Sequence, residues 1–502
     1  MSVRSDDPGV AGRHVAIVGG GVSGLVAAYR LRRLLGPRLR ITVIEQDRRL
    51  GGKLRTVYLA GQRFDVGAEA FLARRPEVLD LITELGLAHE VVHATGARSA
   101  LRAGGRNVLV PTRTLMGVPA SADDVRDVLS PEGLAAVAAE PDLPPLRLDE
   151  TGAGADGADG ADVAVGALLR RRLGDEVVDR LVDPLLGGVY AGRADNLGLR
   201  ATMPGLAAAL DAGAGSVLAA VGSMLPPTPP PGTPRTPVFG SLRGGLATLV
   251  DRLVVASSAR VRLGLPVRAL RRTGHGWRLE IGAAPHPDVL DVDAVVLAVP
   301  APAARRLLAD VSPRAAEAYR CIDVASMAVV ALAFPVDTQL PDTSGVLIAE
   351  GERHADGTPF TAKAFTFSSR KWGHLAGRYV MVRGSVGRYG ETGTLQRDDV
   401  DLVAAVRSDL AELTGITAEP VESAVIRWGG GLPQYGVGHL AAVRRIEAAV
   451  TELPGLAVAG AALHGVGVPA CVATAEAAAG RVAAHLLSLP RSESATMEAW
   501  PV

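Results

Sequence analysis

Short apolar runs alternate with amphipathic stretches over most of the chain. The runs at 15–18, 41–44 and 294–299 predict buried strands, because short runs made up almost entirely of apolar residues fit a strand that is covered on both faces. Residues 76–87 instead place apolar side chains three and four positions apart, which predicts a helix with one buried face. Strands that alternate with helices favour an α/β fold built on a parallel sheet.

The first apolar run leads into a glycine-rich turn and a predicted helix over 25–35. Gly19, Gly21 and Gly24 have the spacing that allows a tight turn, close approach of the backbone to a pyrophosphate, and close packing of helix on strand. Glu45 ends the next strand 21 positions beyond Gly24, where an acid accepts a hydrogen bond from a ribose hydroxyl. An ordinary glycine-rich turn is the alternative, but strand, helix and acid together favour a dinucleotide site.

Two further glycine turns, at Gly51-Gly52 and at Gly67, follow closely and suggest a longer, extended cofactor. The Gly51-Gly52 turn resembles the one that follows the ribose-binding acid in the flavin amine oxidase and porphyrinogen oxidase superfamily. The stretch 456–486 resembles the segment with which that superfamily holds the flavin pyrimidine ring. The resemblance implies FAD and an α/β fold, in which a Rossmann-type FAD-binding domain is interleaved with an α+β substrate domain and a helical domain.

The resemblance also implies which residues contact the cofactor. These are Gly19, Gly20, Gly21, Val22, Ser23, Gly24, Glu45, Gln46, Gly51, Gly52, Lys53, Gly67, Ala68, Glu69, Ala70, Val267, Trp428, Val466, Gly467 and Val468. Taken alone, Trp428 is explained equally well as a core aromatic residue, and Lys53 as a solvated loop charge.

Six stretches resemble more narrowly the porphyrinogen oxidases of haem biosynthesis. They are 71–87, 170–192, 238–250, 367–374, 428–440 and 465–472. This resemblance implies the six-electron oxidation of a porphyrinogen by three successive hydride transfers to the flavin, with O₂ as acceptor and H₂O₂ as product. The flavin performs this chemistry, so no side chain is nominated as a catalytic acid or base. The family often has an acid at each of the two positions that Arg193 and Ala470 occupy here. Arg193 therefore cannot take over a role that a carboxylate has at that position in the family.

We expect coproporphyrinogen III as substrate and coproporphyrin III as product, with protoporphyrinogen IX as the alternative substrate. Coproporphyrinogen carries four propionates and protoporphyrinogen two. A pocket for coproporphyrinogen must therefore supply more cations or leave more carboxylates in water. Arg74, Arg98 and Arg102 are candidate propionate clamps, because arginine can bind a carboxylate through two parallel hydrogen bonds. Taken singly they are explained equally well as surface charges. Lys363 and Lys371 lie in other stretches that we expect to line the cavity.

Composition narrows the class of protein. The chain has 53 basic and 53 acidic residues, so its charge gives no indication of nucleic acid as a partner. Cys321 and Cys471 fit neither a disulfide framework nor a metal site, and we expect no metal and a reducing, cytoplasmic location. No apolar stretch has the length of a membrane span, so any membrane contact would be peripheral. The expected partners are a porphyrinogen, O₂ and transiently bound enzymes of the same pathway.

Three other functions stay open at this point. A flavin amine oxidase would need an aromatic cage, against which the 4% content of aromatic residues weighs mildly. A carotenoid desaturase would need an apolar tunnel and contact with a membrane. A noncatalytic flavin-binding scaffold is the third alternative.

The cofactor motifs lie at both ends of the chain, which predicts interleaved domains. Stretch 140–162 is predicted to be an exposed loop and 226–237 a polyproline-like connector. The predicted division is 1–75, 238–310 and 426–490 for the FAD-binding domain, 76–237 for a mainly helical domain that faces substrate or membrane, 311–425 for a substrate-binding sheet and 491–502 for a tail.

Overall fold

The computed structural model describes residue 10 and residues 12–148, 162–226 and 237–490. Most of the loop predicted at 140–162, most of the connector predicted at 226–237 and the predicted tail lie outside these residues. The strands are β1 (His14–Val18), β2 (Arg40–Ile44), β3 (Thr56–Leu59), β4 (Gln62–Asp65), β5 (Phe71–Leu72), β6 (Val91–His93), β7 (Ala100–Ala103), β8 (Arg106–Leu109), β9 (Thr114–Leu115), β10 (Val118–Pro119), β11 (Phe239–Leu242), β12 (Arg260–Arg262), β13 (Val267–Thr273), β14 (Gly276–Ile281), β15 (Asp288–Val292), β16 (Ala294–Leu297), β17 (Val324–Pro335), β18 (Gly345–Ile348), β19 (Ala362–Phe367), β20 (Tyr379–Val386), β21 (Glu422–Pro433) and β22 (Leu456–Val458). The helices are α1 (Val22–Leu35), α2 (Pro76–Glu84), α3 (Pro131–Ala139), α4 (Val165–Leu173), α5 (Asp175–Val177), α6 (Asp183–Tyr190), α7 (Leu199–Thr202), α8 (Pro204–Asp211), α9 (Val217–Met224), α10 (Ala247–Ser257), α11 (Ala301–Leu308), α12 (Pro313–Arg320), α13 (Ser368–Lys371), α14 (Asp399–Thr414), α15 (His439–Thr451) and α16 (Val468–Ser488).

A parallel sheet forms the centre of the first domain. In the described part of the chain its strand order is β12, β2, β1, β16, β22. Helices α1, α2, α10 and α16 cover one face, while α11, α12, α15 and the antiparallel strands β13, β14 and β15 cover the other. Burial on both faces explains why β1 and β16 are almost continuously apolar. The sheet collects strands from widely separated stretches, so the predicted α/β fold with an interleaved Rossmann-type domain is confirmed.

A second, mixed sheet has the order β21, β17, β20, β19, β18, β7, β8 within the described residues. Helix α14 packs on one of its faces. The hairpin of β3 and β4 covers one end of the opposite face, and the helical region covers the other end. Strands β7 and β8 belong to this sheet although they lie within the predicted helical stretch 76–237, so the sheet extends beyond the predicted 311–425. Each of these two strands is only four residues long, and the hairpin that they form joins the sheet through β18, which is far away in sequence.

The helical region is held together by a buried apolar cluster and one buried ion pair. The stretch 170–190 is divided at Gly174, whose φ of +86° ends α4. A π-helical turn at Val178–Val182 then leads into α6. Glu140 is completely buried, pairs with Arg172 at 2.7 Å and accepts hydrogen bonds from the first turn of α9. None of the helices in the described part of the chain is long and apolar enough to cross a membrane.

Candidate active site

The first glycine turn has the shape that a phosphate site requires. A Cβ on Gly19 would lie 2.3 Å from the carbonyl oxygen of Ala298, and one on Gly24 would lie 1.9 Å from that of Gly19. Both positions therefore exclude any side chain, and Gly19 has a φ of +104°. A Cβ on Gly21 would meet only the Cα of Gly52, at 4.0 Å, so open space lies in front of the N-terminus of α1. This space lets an anion approach the unpaired N–H groups of the helix.

Glu45 connects this turn to the later segment that contains Val267. Its Oε2 accepts a 2.6 Å hydrogen bond from the backbone N–H of Gly20. Its backbone N–H donates to the carbonyl of Arg262 at 2.9 Å, and its carbonyl accepts from Leu265 at 3.0 Å. Val267 follows two residues later as the buried start of β13. Residues far apart in sequence thus meet beside the first glycine turn.

The second and third glycine turns lie against the first. The N–H of Gly51 donates to the carbonyl of Gly20 at 2.8 Å. The carbonyl of Lys53 accepts from the N–H of Ala68 at 2.9 Å, and a Cβ on Gly67 would lie only 2.0 Å from that same carbonyl. The three turns therefore form one continuous backbone surface.

Lys53 supplies a cation inside this surface. No described residue makes a hydrogen bond or ion pair with its ammonium group, and burial lowers the pKa of Lys53 below its usual value. A cation without a protein anion in such a position fits a negatively charged cofactor group. Neither Gly21 nor Gly467, the residues that precede α1 and α16, provides a side-chain cap. The residues present therefore fit a dinucleotide with phosphates at one helix N-terminus and a ring system at the other.

Glu69 forms a buried charge cluster behind the third turn. Lys371 donates to its Oε1 at 2.5 Å, and Arg383 donates to its Oε2 at 3.0 Å. Arg383 also donates to the carbonyl of Gly67 at 2.8 Å. Burial alone would raise the pKa of Glu69, but the charges and hydrogen bonds of Lys371 and Arg383 lower it to about 2. The glycine turn is therefore held against the second sheet by an ionised carboxylate.

Trp428 holds the same loop from the other side. Its indole N–H donates to the carbonyl of Val66 at 3.2 Å, and the guanidinium of Arg49 lies 5.6 Å from its ring centroid. The ring is only half-buried. Trp428 therefore packs against the loop and keeps part of its surface accessible.

The C-terminal segment closes the surface. Val466 is half-buried, Gly467 is exposed and Val468 begins α16. The hydroxyl of Ser23 donates to the carbonyl of Cys471 at 3.2 Å, which joins α1 to the first turn of α16. The two ends of the chain thus meet at one site.

A row of side chains crosses the second sheet on the face opposite α14. Val329 pairs with Ser385, Ser385 with Ala364, and Ala364 with Leu347. Leu347, Ala364 and Ser385, which we call the central strip, are half-buried although their strands lie in the interior of the sheet. The β3–β4 hairpin and the helical region cover the sheet on either side. The central strip therefore lines space between them and is the candidate substrate surface.

Comparison with known proteins agrees with this geometry. A model of the family described as flavin containing amine oxidoreductase matches residues 22–483. The coproporphyrinogen III oxidase of Mycobacterium leprae (strain TN) is 43% identical over 92% of this chain and 96% of its own. Protoporphyrinogen oxidase 2 of Arabidopsis thaliana, chloroplastic/mitochondrial, is 28% identical over 95% of each chain. A crystal structure of a protein from Exiguobacterium sp. 255-15 has a TM-score of 0.80 at 31% identity, and the match covers 95% of this chain and 99% of that one.

The chain belongs to the flavin containing amine oxidoreductase family. Within that family it groups with the porphyrinogen oxidases, and FAD is its cofactor, which confirms both sequence-based predictions. It is an FAD-dependent oxidoreductase of the porphyrinogen oxidase group.

In this porphyrinogen oxidase the arginines predicted to clamp propionates occupy different environments. Arg74 and Arg98 are exposed, and Arg98 donates to the carbonyl of Val110 at 2.8 Å. Arg102 lies 3.2 Å from a carboxylate oxygen of Glu352, and both side chains are largely buried. No hydrogen bond or ion pair between described residues joins the three arginines to one another. Arg102 therefore already has an acidic partner, whereas Arg74 and Arg98 keep exposed charges.

The remaining predicted cofactor residues flank the contacts above. Val22 begins α1, Gln46 is exposed just after β2, and Ala70 is half-buried before β5. The carbonyl of Gly52 accepts a 2.8 Å hydrogen bond from Arg49.

Two arginines of the porphyrinogen oxidase site, Arg49 and Arg383, were not predicted from the sequence. Arg49 lies between Trp428 and the second glycine turn, and Arg383 is bonded to the third turn. Arg383 is more than 300 residues from its partner Glu69. The one available signal was the unusual presence of a charged residue in the middle of the apolar strand β20.

Proposed function

We propose that this porphyrinogen oxidase converts coproporphyrinogen III to coproporphyrin III in haem biosynthesis, consuming three O₂ and releasing three H₂O₂. The observation that carries the proposal is the central strip. Ser385 of the strip lies two residues after Arg383 on β20, and Arg383 is bonded to the third glycine turn, so the strip adjoins the cofactor surface. The relative from Mycobacterium leprae, which is named for this activity, aligns over nearly the whole chain and supports the proposal.

FAD would be held by the residues that sequence analysis nominated. The N-terminus of α1 and the turn Gly19–Gly24 would bind the pyrophosphate, and Glu45 would accept from a ribose hydroxyl. The segment Val466–Val468 and the N-terminus of α16 would bind the ring system. When bound, FAD supplies the redox chemistry, accepting one hydride in each of three rounds and passing the electrons to O₂.

The side chains of this porphyrinogen oxidase position the reactants and exclude water. The Glu69 cluster and Trp428 fix the loop that follows the second turn, so the cofactor surface keeps its shape while substrate binds. The small side chains of Ala364 and Ser385 leave room for a wide macrocycle above the sheet. We assign no acid or base among the side chains. Each round removes one hydride and one proton from the macrocycle, and the proton is consumed when O₂ is reduced to H₂O₂, so the net reaction needs no further proton donor or acceptor.

Protoporphyrinogen IX is the second candidate substrate, since one relative is named for its oxidation. An amine is a weaker candidate. Tyr190 and Tyr435 approach each other with ring centroids 5.5 Å apart, but Tyr435 is only 2% exposed and its hydroxyl donates to the carbonyl of Ala461. Tyr435 therefore has no free aromatic face for an ammonium group.

Steady-state kinetics of the FAD-loaded enzyme with both porphyrinogens at matched O₂ would test the proposal. We expect a higher kcat/KM for coproporphyrinogen III than for protoporphyrinogen IX. In Arg98→Ala the ratio of these two kcat/KM values should be smaller, because one charged hydrogen bond is worth roughly 1.5–3 kcal/mol. Arg320→Ala, at an exposed position on α12, should keep the parent preference. Equal or reversed efficiencies in the parent would assign the chain to protoporphyrinogen IX or to both substrates. Anaerobic flavin reduction by an amine but by neither porphyrinogen would overturn porphyrinogen oxidation altogether.

A further inference from the structure

Lysine is rare in this chain, and its distribution is unusual. Only three of the 53 basic residues are lysines, namely Lys53, Lys363 and Lys371, and none of them is exposed. Arginine supplies every other formal cation, including all of those on the surface. A lysine ammonium is a compact charge that an arginine fork does not replace in a confined space. The interior positions of the three lysines therefore indicate that each meets a specific group.

Two of the three groups are already described. Lys53 lies within the cofactor surface, and Lys371 donates to Glu69 at 2.5 Å. Lys363 is different, because it is only 8% exposed and none of the described residues makes a hydrogen bond or ion pair with its ammonium. An ionised side chain in such a position is costly unless an anion joins it.

The surroundings of Lys363 contain an excess of buried positive charge. Arg388 is 7% exposed, and its closest approach to a carboxylate is 3.4 Å, to Oδ2 of Asp183. The other oxygen of Asp183 accepts from the N–H of Ala194 at 2.8 Å. Glu391, the remaining acid that acts on Lys363, is bonded to Arg193 at 2.6 Å. One buried carboxylate thus serves two buried cations.

Burial, and after it the positive charge of Arg388, lower the pKa of Lys363 to about 7 in the protein without ligand. A bound carboxylate would reverse this effect and favour the ammonium form.

The position of Lys363 in the sheet brings it to the candidate substrate surface. The register between β19 and β20 shifts between Ala362 and Ala364, so Lys363 occupies a β-bulge directly before a residue of the central strip. Helix α6 lies above this part of the sheet, where a Cβ on Gly188 would be 3.7 Å from Leu347. Gly188 itself is exposed, so space reaches the gap between α6 and the strip.

We propose that Lys363, with Arg388 beside it, binds one propionate carboxylate of the porphyrinogen and so helps to fix the macrocycle over the central strip. The inference rests on the proposed function, since it requires a porphyrinogen as substrate. It makes Lys363 a substrate-binding residue that contributes through affinity.

Equilibrium binding of coproporphyrin III and of its tetramethyl ester to the FAD-loaded protein tests the proposal, with fluorescence quenching as the signal. In Lys363→Met we expect the Kd of the free acid to rise roughly 10- to 100-fold, the range expected for loss of one charged hydrogen bond. The Kd of the ester should not change, because it offers no carboxylate. The KM for coproporphyrinogen III should rise while kcat stays within a few-fold of the parent. The surface variant Arg320→Met should match the parent in every measurement.

The melting temperature separates ligand binding from a structural role. In the porphyrin-free protein Lys363→Met should melt at or above the parent temperature, because it removes a buried charge that has no partner. Lys371→Met should melt lower, because it leaves Glu69 with one cation fewer.

Several results would overturn the inference. Unchanged Kd values for the free acid in Lys363→Met would show that no carboxylate binds there, and equal losses for acid and ester would show a packing effect. A fall in kcat at unchanged KM, with a shifted pH profile, would make Lys363 a proton acceptor instead. If the parent oxidises coproporphyrinogen and Lys363→Met matches the parent in every measurement, only this inference fails. If the parent oxidises neither porphyrinogen, the proposed function fails as well.

Discussion

Replacing Glu69 by glutamine should destabilise the protein in a pH-dependent manner. The pKa of Glu69 falls from a usual 4.5 to about 2 because Lys371 and Arg383 bind its ionised form. Each pKa unit corresponds to about 1.4 kcal/mol, so the ionised carboxylate contributes about 3 kcal/mol to stability at pH 7. A lowered pKa gives a contribution that is complete above pH 4.5 and is lost as the pH falls through 2. At pH 3.5 the same relation leaves about 2 kcal/mol.

Urea-induced unfolding of the FAD-loaded parent and of Glu69→Gln at pH 7 and pH 3.5, followed by circular dichroism, measures this difference. Glu419→Gln is the matched control, because Glu419 also pairs with an arginine but is 79% exposed, and surface pairs contribute about 0–1 kcal/mol. A loss below about 1 kcal/mol in Glu69→Gln at pH 7 would refute the assignment of a strong buried cluster. So would a loss that is the same at both pH values, because that would indicate packing rather than charge.

Other predictions follow from single contacts. Gly21→Val should fold but purify without flavin, because its Cβ enters the open space in front of α1. Gly24→Val should also lose stability, because its Cβ would lie 1.9 Å from a backbone carbonyl. Absorbance at 450 nm measures bound flavin and thermal melting measures stability, and a yellow Gly21→Val protein would contradict the phosphate site. Glu140→Gln should cost about 3–5 kcal/mol in chemical unfolding, because it leaves Arg172 buried without a carboxylate, and a loss near zero would argue against that pair. At pH 7, Lys363→Met should have a higher melting temperature than the porphyrin-free parent, and the difference should become smaller toward pH 10. The reason is that a lowered pKa makes the charged form of Lys363 unfavourable in the folded state, which costs most stability at low pH. A difference in melting temperature that does not depend on pH would contradict this.

The sequence alone was enough to predict which residues hold the cofactor. Gly19, Gly24 and Glu45 lie within one strand–turn–helix–strand unit, where local geometry alone dictates which residue types can occur. Only glycine fits at Gly19 and Gly24, because a Cβ at either position would overlap neighbouring backbone. The same local logic correctly indicated that strands and helices alternate around a parallel sheet. The assignment of FAD rather than another dinucleotide came from the family resemblance.

The candidate substrate surface could be recognised only in the folded protein. Glu69 and Arg383 are separated by more than 300 residues and meet only because the second sheet folds back onto the third glycine turn. Arg102 was grouped with two exposed arginines by type and position, yet the fold gives it Glu352 as a partner. The sequence placed Lys363 only in a stretch expected to line the cavity, whereas the structure shows it buried at a β-bulge, with no ion pair to any described residue. Spacing along the chain encodes contacts within one structural unit, but the charge that a side chain meets across a cavity depends on how separate units pack together.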